Sequence, residues 1–192
     1  DLTVNGGIAD HVKGNAEAKV ILYEYADYQC PGCANLNPRI NKVVEDYAGK
    51  VGLVYRSFLL SYHQNGTAAA SAAEAASLQG YWKQYADELF ATQAEREDAT
   101  ASERTDLFVK MFEKVSNGVG DTERFKSDMN SGNVKAKIDF DMSIGKAIDV
   151  SATPALYIDG EFIDWTKASN EKEFYDFMHK TIDAKLEAKN AQ

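Results

Sequence analysis

Residues 30 to 33 read Cys30-Pro31-Gly32-Cys33, and no other cysteine occurs in the 192 residues. Two cysteines at this spacing can make a structural staple, supply half of a metal site, or form a redox pair that opens and closes. A staple across so short a loop removes almost no entropy from the unfolded chain, because that gain grows with loop length. A structural zinc site needs four ligands. There is no second Cys-x-x-Cys, and His11, His63 and His179 lie at no recognisable metal spacing, so no metal ligand set is assigned. A dithiol whose reactivity is set by its surroundings remains. The alternative of a different class is a module holding a soft cation such as Cu(I) on the pair, which one equivalent of tightly bound metal, lost in Cys30→Ser, would mark.

The surroundings are a strand-to-helix junction. Ala18 to Tyr25 is a strand-like run, followed by a polar link and the cysteines. Beyond them Cys33, Leu36, Ile40, Val43, Val44 and Tyr47 share one helical face, and Gly49 supplies the stop. Pro31 suits the first helical turn, where a missing N–H is harmless, which puts Cys30 at the helix N-terminus. Unpaired N–H groups and the positive dipole end favour a thiolate there. Cys30 is therefore the expected nucleophile, and Cys33, one turn inside, the buried resolving thiol. Pro38 is expected to kink the helix it lies in.

From strand through Cys-Pro-x-Cys to helix, with Ala152-Thr153-Pro154 before a later strand, the chain resembles the DsbA-like thiol:disulfide oxidoreductases of the thioredoxin superfamily. The residues that carry the likeness are Tyr25 to Cys33 and Asp149 to Gly160; between them the match is mainly in length and helical character. Gly32 departs from the histidine frequent in oxidases of this family, and Ala152 from a frequent glycine.

The resemblance implies an α/β, thioredoxin-like fold with a central β-sheet and an inserted helical subdomain, the frame being residues 1–62 and 149–192 and the insertion 63–148. It implies a cis Thr153–Pro154 bond beside the dithiol, although X-Pro bonds are generally trans. Pro31, Gly32, Thr153 and Pro154 would then border the substrate, the Thr153 backbone pairing with an extended polypeptide by strand addition. Glu24, an acid within an apolar strand, would lie beneath Cys33 and move its proton; a buried carboxyl is otherwise expensive, and the competing reading is a solvent-facing edge position.

The expected activity is donation of the Cys30–Cys33 disulfide to extended proteins, with no cofactor beyond that disulfide and with a membrane quinone-linked partner to reoxidise it. Reductase or isomerase action by the same residues is the alternative, since only the relative stability of the two redox forms sets direction. The resemblance places the chain outside the cytoplasm, in the periplasm, the cell envelope or secreted; cysteine usage fits either side. It begins at Asp1 without a basic n-region or apolar h-region, as expected of a mature or trimmed product.

With 44% hydrophobic residues and no repeat or linker, the chain reads as one folded unit, expected to be a monomer. A net charge of −9 makes nucleic acid a poor partner. No apolar run approaches the length needed to span a bilayer. Lys50 to Leu60 reads as a strand buried on both faces of a parallel sheet, making a βαβ unit with the first strand and helix. From about 65 to 148 the pattern is helical. It comprises an alanine-rich segment, a face of Trp82, Tyr85, Leu89 and Phe90, a Thr100…Glu103 capping box, and a stripe of Val134, Ile138, Met142 and Ile148. A hairpin turning at Asp159-Gly160 and a helix near 170–188 close the chain. His63 reads as a surface or capping residue, and Tyr28 and Gln29 as candidate peptide contacts.

Overall fold

The computed structural model describes residues 4–61, 63 and 65–192. Asp1 and the expected boundary at position 62 lie outside the described residues. Among the described residues the strands are β1 (His11–Gly14), β2 (Val20–Ala26), β3 (Val51–Ser57), β4 (Ala155–Ile158) and β5 (Glu161–Phe162). They form one mixed sheet in the order β1-β3-β2-β4-β5. β2 and β3 run parallel, joined by α1 (Pro31–Asp46) as the βαβ reading expects; every other pair is antiparallel.

β3 therefore has only one parallel neighbour. Its other side pairs with β1, a strand the apolar pattern does not mark, because it is only His-Val-Lys-Gly and Lys13 points inward. β3 also stops at Ser57, short of Leu60. At its end Ser57 N–H donates to Asp141 Oδ2 at 3.1 Å, Phe58 N–H still reaches the Ala26 carbonyl at 2.8 Å, and Leu60 N–H turns to Asp27 Oδ2 at 3.1 Å. α1 continues through Pro38 and ends two residues before the left-handed Ala48 and Gly49.

Helices α2 (Gly66–Ser77), α3 (Trp82–Ala91), α4 (Ala101–Val115), α5 (Thr122–Asp128) and α6 (Gly132–Ala147) lie between β3 and β4, and α7 (Glu171–Asn190) closes the chain. The Thr100–Glu103 capping box forms in both directions. Asp159 and Gly160 both take positive φ, as a tight two-residue hairpin requires. The alanines of α2 let it sit directly on its neighbours, Ala69, Ala70, Ala72, Ala73, Ala75 and Ala76 all being fully buried. Ile148 is exposed, although the helical spacing puts it on the buried stripe: α6 ends at Ala147, and the left-handed turn at Asp149 redirects the chain.

The helical region also packs beneath the cysteine loop. Tyr28 lies between Tyr55 and Phe90, each 5.1 Å from it by ring centroid, and its hydroxyl accepts from Trp82 Nε1 at 3.1 Å. Trp82 is core, as its helical spacing indicates.

On α6 a charged pair is buried with the apolar stripe. Lys137 Nζ lies 2.5 Å from Asp141 Oδ1, and burial pushes the Asp141 carboxyl up to about 6 against that pull. Lys137→Met should strand this carboxylate and cost about 3–5 kcal/mol in urea unfolding at neutral pH. The loss should shrink at acidic pH, where Asp141 is protonated.

Candidate active site

The chain leaves β2 at Ala26, and the buried Asp27 organises the turn that follows. Its carbonyl accepts from Cys30 N–H at 3.0 Å and its Oδ1 from Gln29 N–H at 2.9 Å. Its Oδ2 lies 2.9 Å from His63 Nδ1, so His63 is half-buried against Asp27 and is not a simple surface residue. Tyr28, 1% exposed, points into the core and contributes nothing to a peptide-contact surface, whereas Gln29 is half-buried.

Cys30 takes an extended backbone conformation as the N-cap of α1, with Pro31 at the first helical position. Cys30 is 6% exposed and Cys33 is fully buried. Hydrogen bonding from the Cys33 thiol is the largest influence on Cys30. With Thr153 and the N–H groups of Cys33 and Gly32, it overcomes partial burial and holds the Cys30 thiol at about 5. Cys33 moves the other way, pushed far up by burial and then by its bond to Cys30, with Glu24 adding repulsion. One sulfur is thus a thiolate at neutral pH and the other a thiol, the division expected at a helix N-terminus.

The Thr153–Pro154 peptide is cis, and this loop borders the dithiol: Cys30 Sγ lies 3.6 Å from the Thr153 carbonyl oxygen. Pro31 and Gly32 are exposed and Thr153 and Pro154 half-buried, so these four make the rim around Cys30. A Cβ at Gly32 would meet Pro154 Cδ at 3.4 Å and Cys30 Sγ at 3.8 Å, ordinary contact distances. Gly32→His should therefore fit. Its imidazolium beside the thiolate should shift the dithiol equilibrium with glutathione about tenfold, close to 30 mV, toward a stronger oxidant.

Glu24 faces inward from the middle of β2. It is fully buried, neither carboxyl oxygen has a hydrogen-bond partner, and burial, reinforced by Asp87 and opposed by Lys13, raises it to about 7. Lys13 is a residue that sequence reasoning misses. It is 2% exposed, donating to Asn37 Oδ1 and Asn41 Oδ1 at 2.7 Å each and lying 3.4 Å from Asp87 Oδ1. Burial lowers its ammonium, against the pull of Glu24 and Asp87. Asp87 stays ionised: burial opposes its charge, but Lys13, Asn37, Lys83 and Asn41 together hold it at about 2. A buried carboxyl and a buried cation thus act on each other electrostatically, and the Glu24 charge also acts on Cys33. Among the described residues no group of three or more His, Cys, Asp or Glu side chains is placed to hold a metal ion.

The family described as Thioredoxin matches residues 7–183. The chain belongs to the thioredoxin family. Its fold is that of the DsbA-like thiol-disulfide oxidoreductases, a five-stranded mixed sheet with an inserted helical region. BdbD from Bacillus subtilis aligns with a TM-score of 0.76 at 22% identity, covering 96% of this chain and 95% of that one. Alpha-DsbA1 from Wolbachia pipientis gives 0.71 at 22% identity, covering 95% and 98%. Curated relatives include the Na(+)/H(+) antiporter NhaA 1 of Mycolicibacterium vanbaalenii, 32% identical over 154 residues, which are 79% of this chain and 23% of that protein. NhaA 3 of Salinispora tropica is 33% identical over 155 residues, 79% of this chain and 22% of that protein. The chain thus spans under a quarter of the length of these relatives. No helix of the described residues is long and apolar enough to cross a membrane.

Proposed function

We propose that this member of the thioredoxin family donates the Cys30–Cys33 disulfide to extended polypeptides outside the cytoplasm. The supporting observation is the stabilised sulfur: Cys30 is held at about 5 at the N-terminus of α1. A thiolate that stable favours the reduced dithiol and so makes the disulfide a strong oxidant.

A substrate thiolate attacks the Cys30 sulfur, the Cys30–Cys33 bond breaks, and Cys33 departs as a thiolate that takes a proton by way of Glu24. A second substrate thiolate then attacks the substrate sulfur of the mixed disulfide and releases Cys30 as a thiolate. The substrate loses two electrons and two thiol protons. The protein gains both electrons and one proton, and the other proton goes to solvent. Pro31, Gly32, Thr153 and Pro154 border the substrate, with the Thr153 backbone aligning its chain. Residues 63–148 act as a helical subdomain set into a frame of 1–62 and 149–192. A membrane quinone-linked protein restores the disulfide, and the chain works as a monomer.

Gly32 favours the second reading, a reductase or isomerase, since it brings no side chain to support the thiolate. Equilibration with glutathione buffers separates the two. A reduction potential above about −200 mV marks a disulfide donor, and one below about −250 mV overturns that reading in favour of a reductase.

A further inference from the structure

The turn after α3, Gln93–Arg96, reaches from the helical region to the loop that carries the nucleophile. Gln93 Nε2 donates to the Tyr28 carbonyl at 2.8 Å and to the Cys30 carbonyl at 3.0 Å. The Cys30 carbonyl also accepts the first bond of α1, from Ala34 N–H at 3.1 Å. Beside Gln93, the buried Arg96 donates through Nη2 to Gln29 Oε1 at 3.1 Å, and through its two terminal nitrogens to the Leu89 and Thr92 carbonyls. Asn65 Nδ2 in turn donates to the Arg96 carbonyl at 3.1 Å. Residues 28, 29 and 30 are thus each held by one short turn that is distant in sequence.

We propose that Gln93, backed by Arg96, is a positioning residue of the redox site: its carboxamide fixes the Tyr28–Cys30 backbone and thereby the place of the Cys30 sulfur at the head of α1. The inference rests on Cys30 being the exchanging sulfur. Both amide protons of Gln93 point at carbonyl oxygens, so they neutralise two negative dipole ends next to the position where the thiolate forms. They also draw the Cys30 carbonyl into line with the helix whose N-terminus supports that thiolate. The titratable and charged groups around the segment are Arg96, Asp27 in the turn after β2 with His63 Nδ1 2.9 Å from its Oδ2, and Glu88 and Glu95, whose charges act on Arg96. A glutamate at position 93 would turn an acceptor and a negative charge toward the same two carbonyls.

The test compares wild type with Gln93→Met, which keeps the length and removes the donors, and Gln93→Glu. Two readouts are taken: the dithiol–glutathione equilibrium constant, and the rate of Cys30 alkylation by iodoacetamide between pH 4 and 8. Gln93 is only half-buried, so both variants should fold, and urea unfolding of the oxidised proteins checks this. Expected is an equilibrium constant shifted about tenfold toward a weaker oxidant in Gln93→Met, and further in Gln93→Glu, with the alkylation midpoint moved up in the same order. Gln93→Asn, too short to reach both carbonyls, should fall between wild type and Gln93→Met. Equal constants and midpoints in wild type, Gln93→Met and Gln93→Glu would overturn the inference. Failure of the wild type itself to exchange with glutathione would instead overturn the assignment of Cys30.

Discussion

In a Cys33→Ala protein the Cys30 thiol is expected to titrate one to two units above the value of about 5 that it has beside Cys33. The hydrogen bond from the Cys33 thiol is the largest influence holding Cys30 down, ahead of Thr153 and the helix N–H groups. A hydrogen bond to a charged group is worth about 1.5–3 kcal/mol, and each pKa unit corresponds to about 1.4 kcal/mol. Cys33→Ser keeps a donor of similar reach, so its midpoint should stay near that of the wild type. Thiolate absorbance at 240 nm against pH measures both. Equal midpoints for the alanine and serine variants would show that the helix N-terminus, and not the partner thiol, sets the nucleophile. The same pair of variants reports on chemistry. Cys30→Ser should abolish turnover with a dithiol substrate, while Cys33→Ser, offered a disulfide substrate, should accumulate a mixed disulfide, because Cys30 attacks and expels one substrate thiolate and the sulfur that would release the other is gone.

The sign of this shift also fixes a stability trend. The folded Cys30 pKa is depressed, so ionisation stabilises the reduced protein increasingly as pH rises from about 5 toward the ordinary thiol value. That contribution disappears as pH falls through 5. The stability of the reduced protein relative to the oxidised one should accordingly fall toward acid.

What the sequence reveals about this site is local chemistry. Cys30, Pro31 and Cys33 carry their meaning in four adjacent positions, and Thr153-Pro154 before a short strand carries its own; the structure brings both to one place. Lys13 is invisible by the same method. Its partners Asn37, Asn41 and Asp87 come from α1 and α3, and its strand is too short and too polar to show alternation. Lys137 and Asp141 fail for a related reason. Apolar spacing marks Val134 and Ile138, but a buried ion pair on the same face has no hydrophobic signature. Gln93 is legible only from tertiary contact, because nothing in its neighbours anticipates the Tyr28 and Cys30 carbonyls. Periodicity locates faces; it does not locate the polar groups that a face conceals.

Glu24→Gln is expected to stabilise the reduced protein by about 3 kcal/mol at pH 8 while slowing the release step at Cys33. Burial first, then Asp87, raise the Glu24 carboxyl from 4.5 to about 7, and a rise of that size in a fully buried acid corresponds to about 3 kcal/mol. The folded state binds more protons than the unfolded state across that window. Stability therefore falls as pH climbs from 4.5 to 7, and the cost is fully present above 7 and absent below 4.5. Glutamine carries no titratable proton, so the two urea unfolding curves, taken in reductant, should coincide near pH 4 and separate toward pH 8. Coincidence at pH 8 would mean that the Glu24 charge is compensated within the fold. The role proposed for the carboxyl, giving Cys33 a proton or taking one from it, is worth about 10²-fold or more where a positioned acid–base group serves a buried thiol. Decay of the mixed disulfide by Cys33 attack, followed from pH 5 to 9, should be slower by about that factor in Glu24→Gln and should lose its inflection near 7. A slower decay in Glu24→Gln together with the gain in stability would mark a carboxyl that costs the fold what it gives the proposed chemistry. Lys13 limits the damage, since its buried ammonium opposes the rise that burial imposes on Glu24.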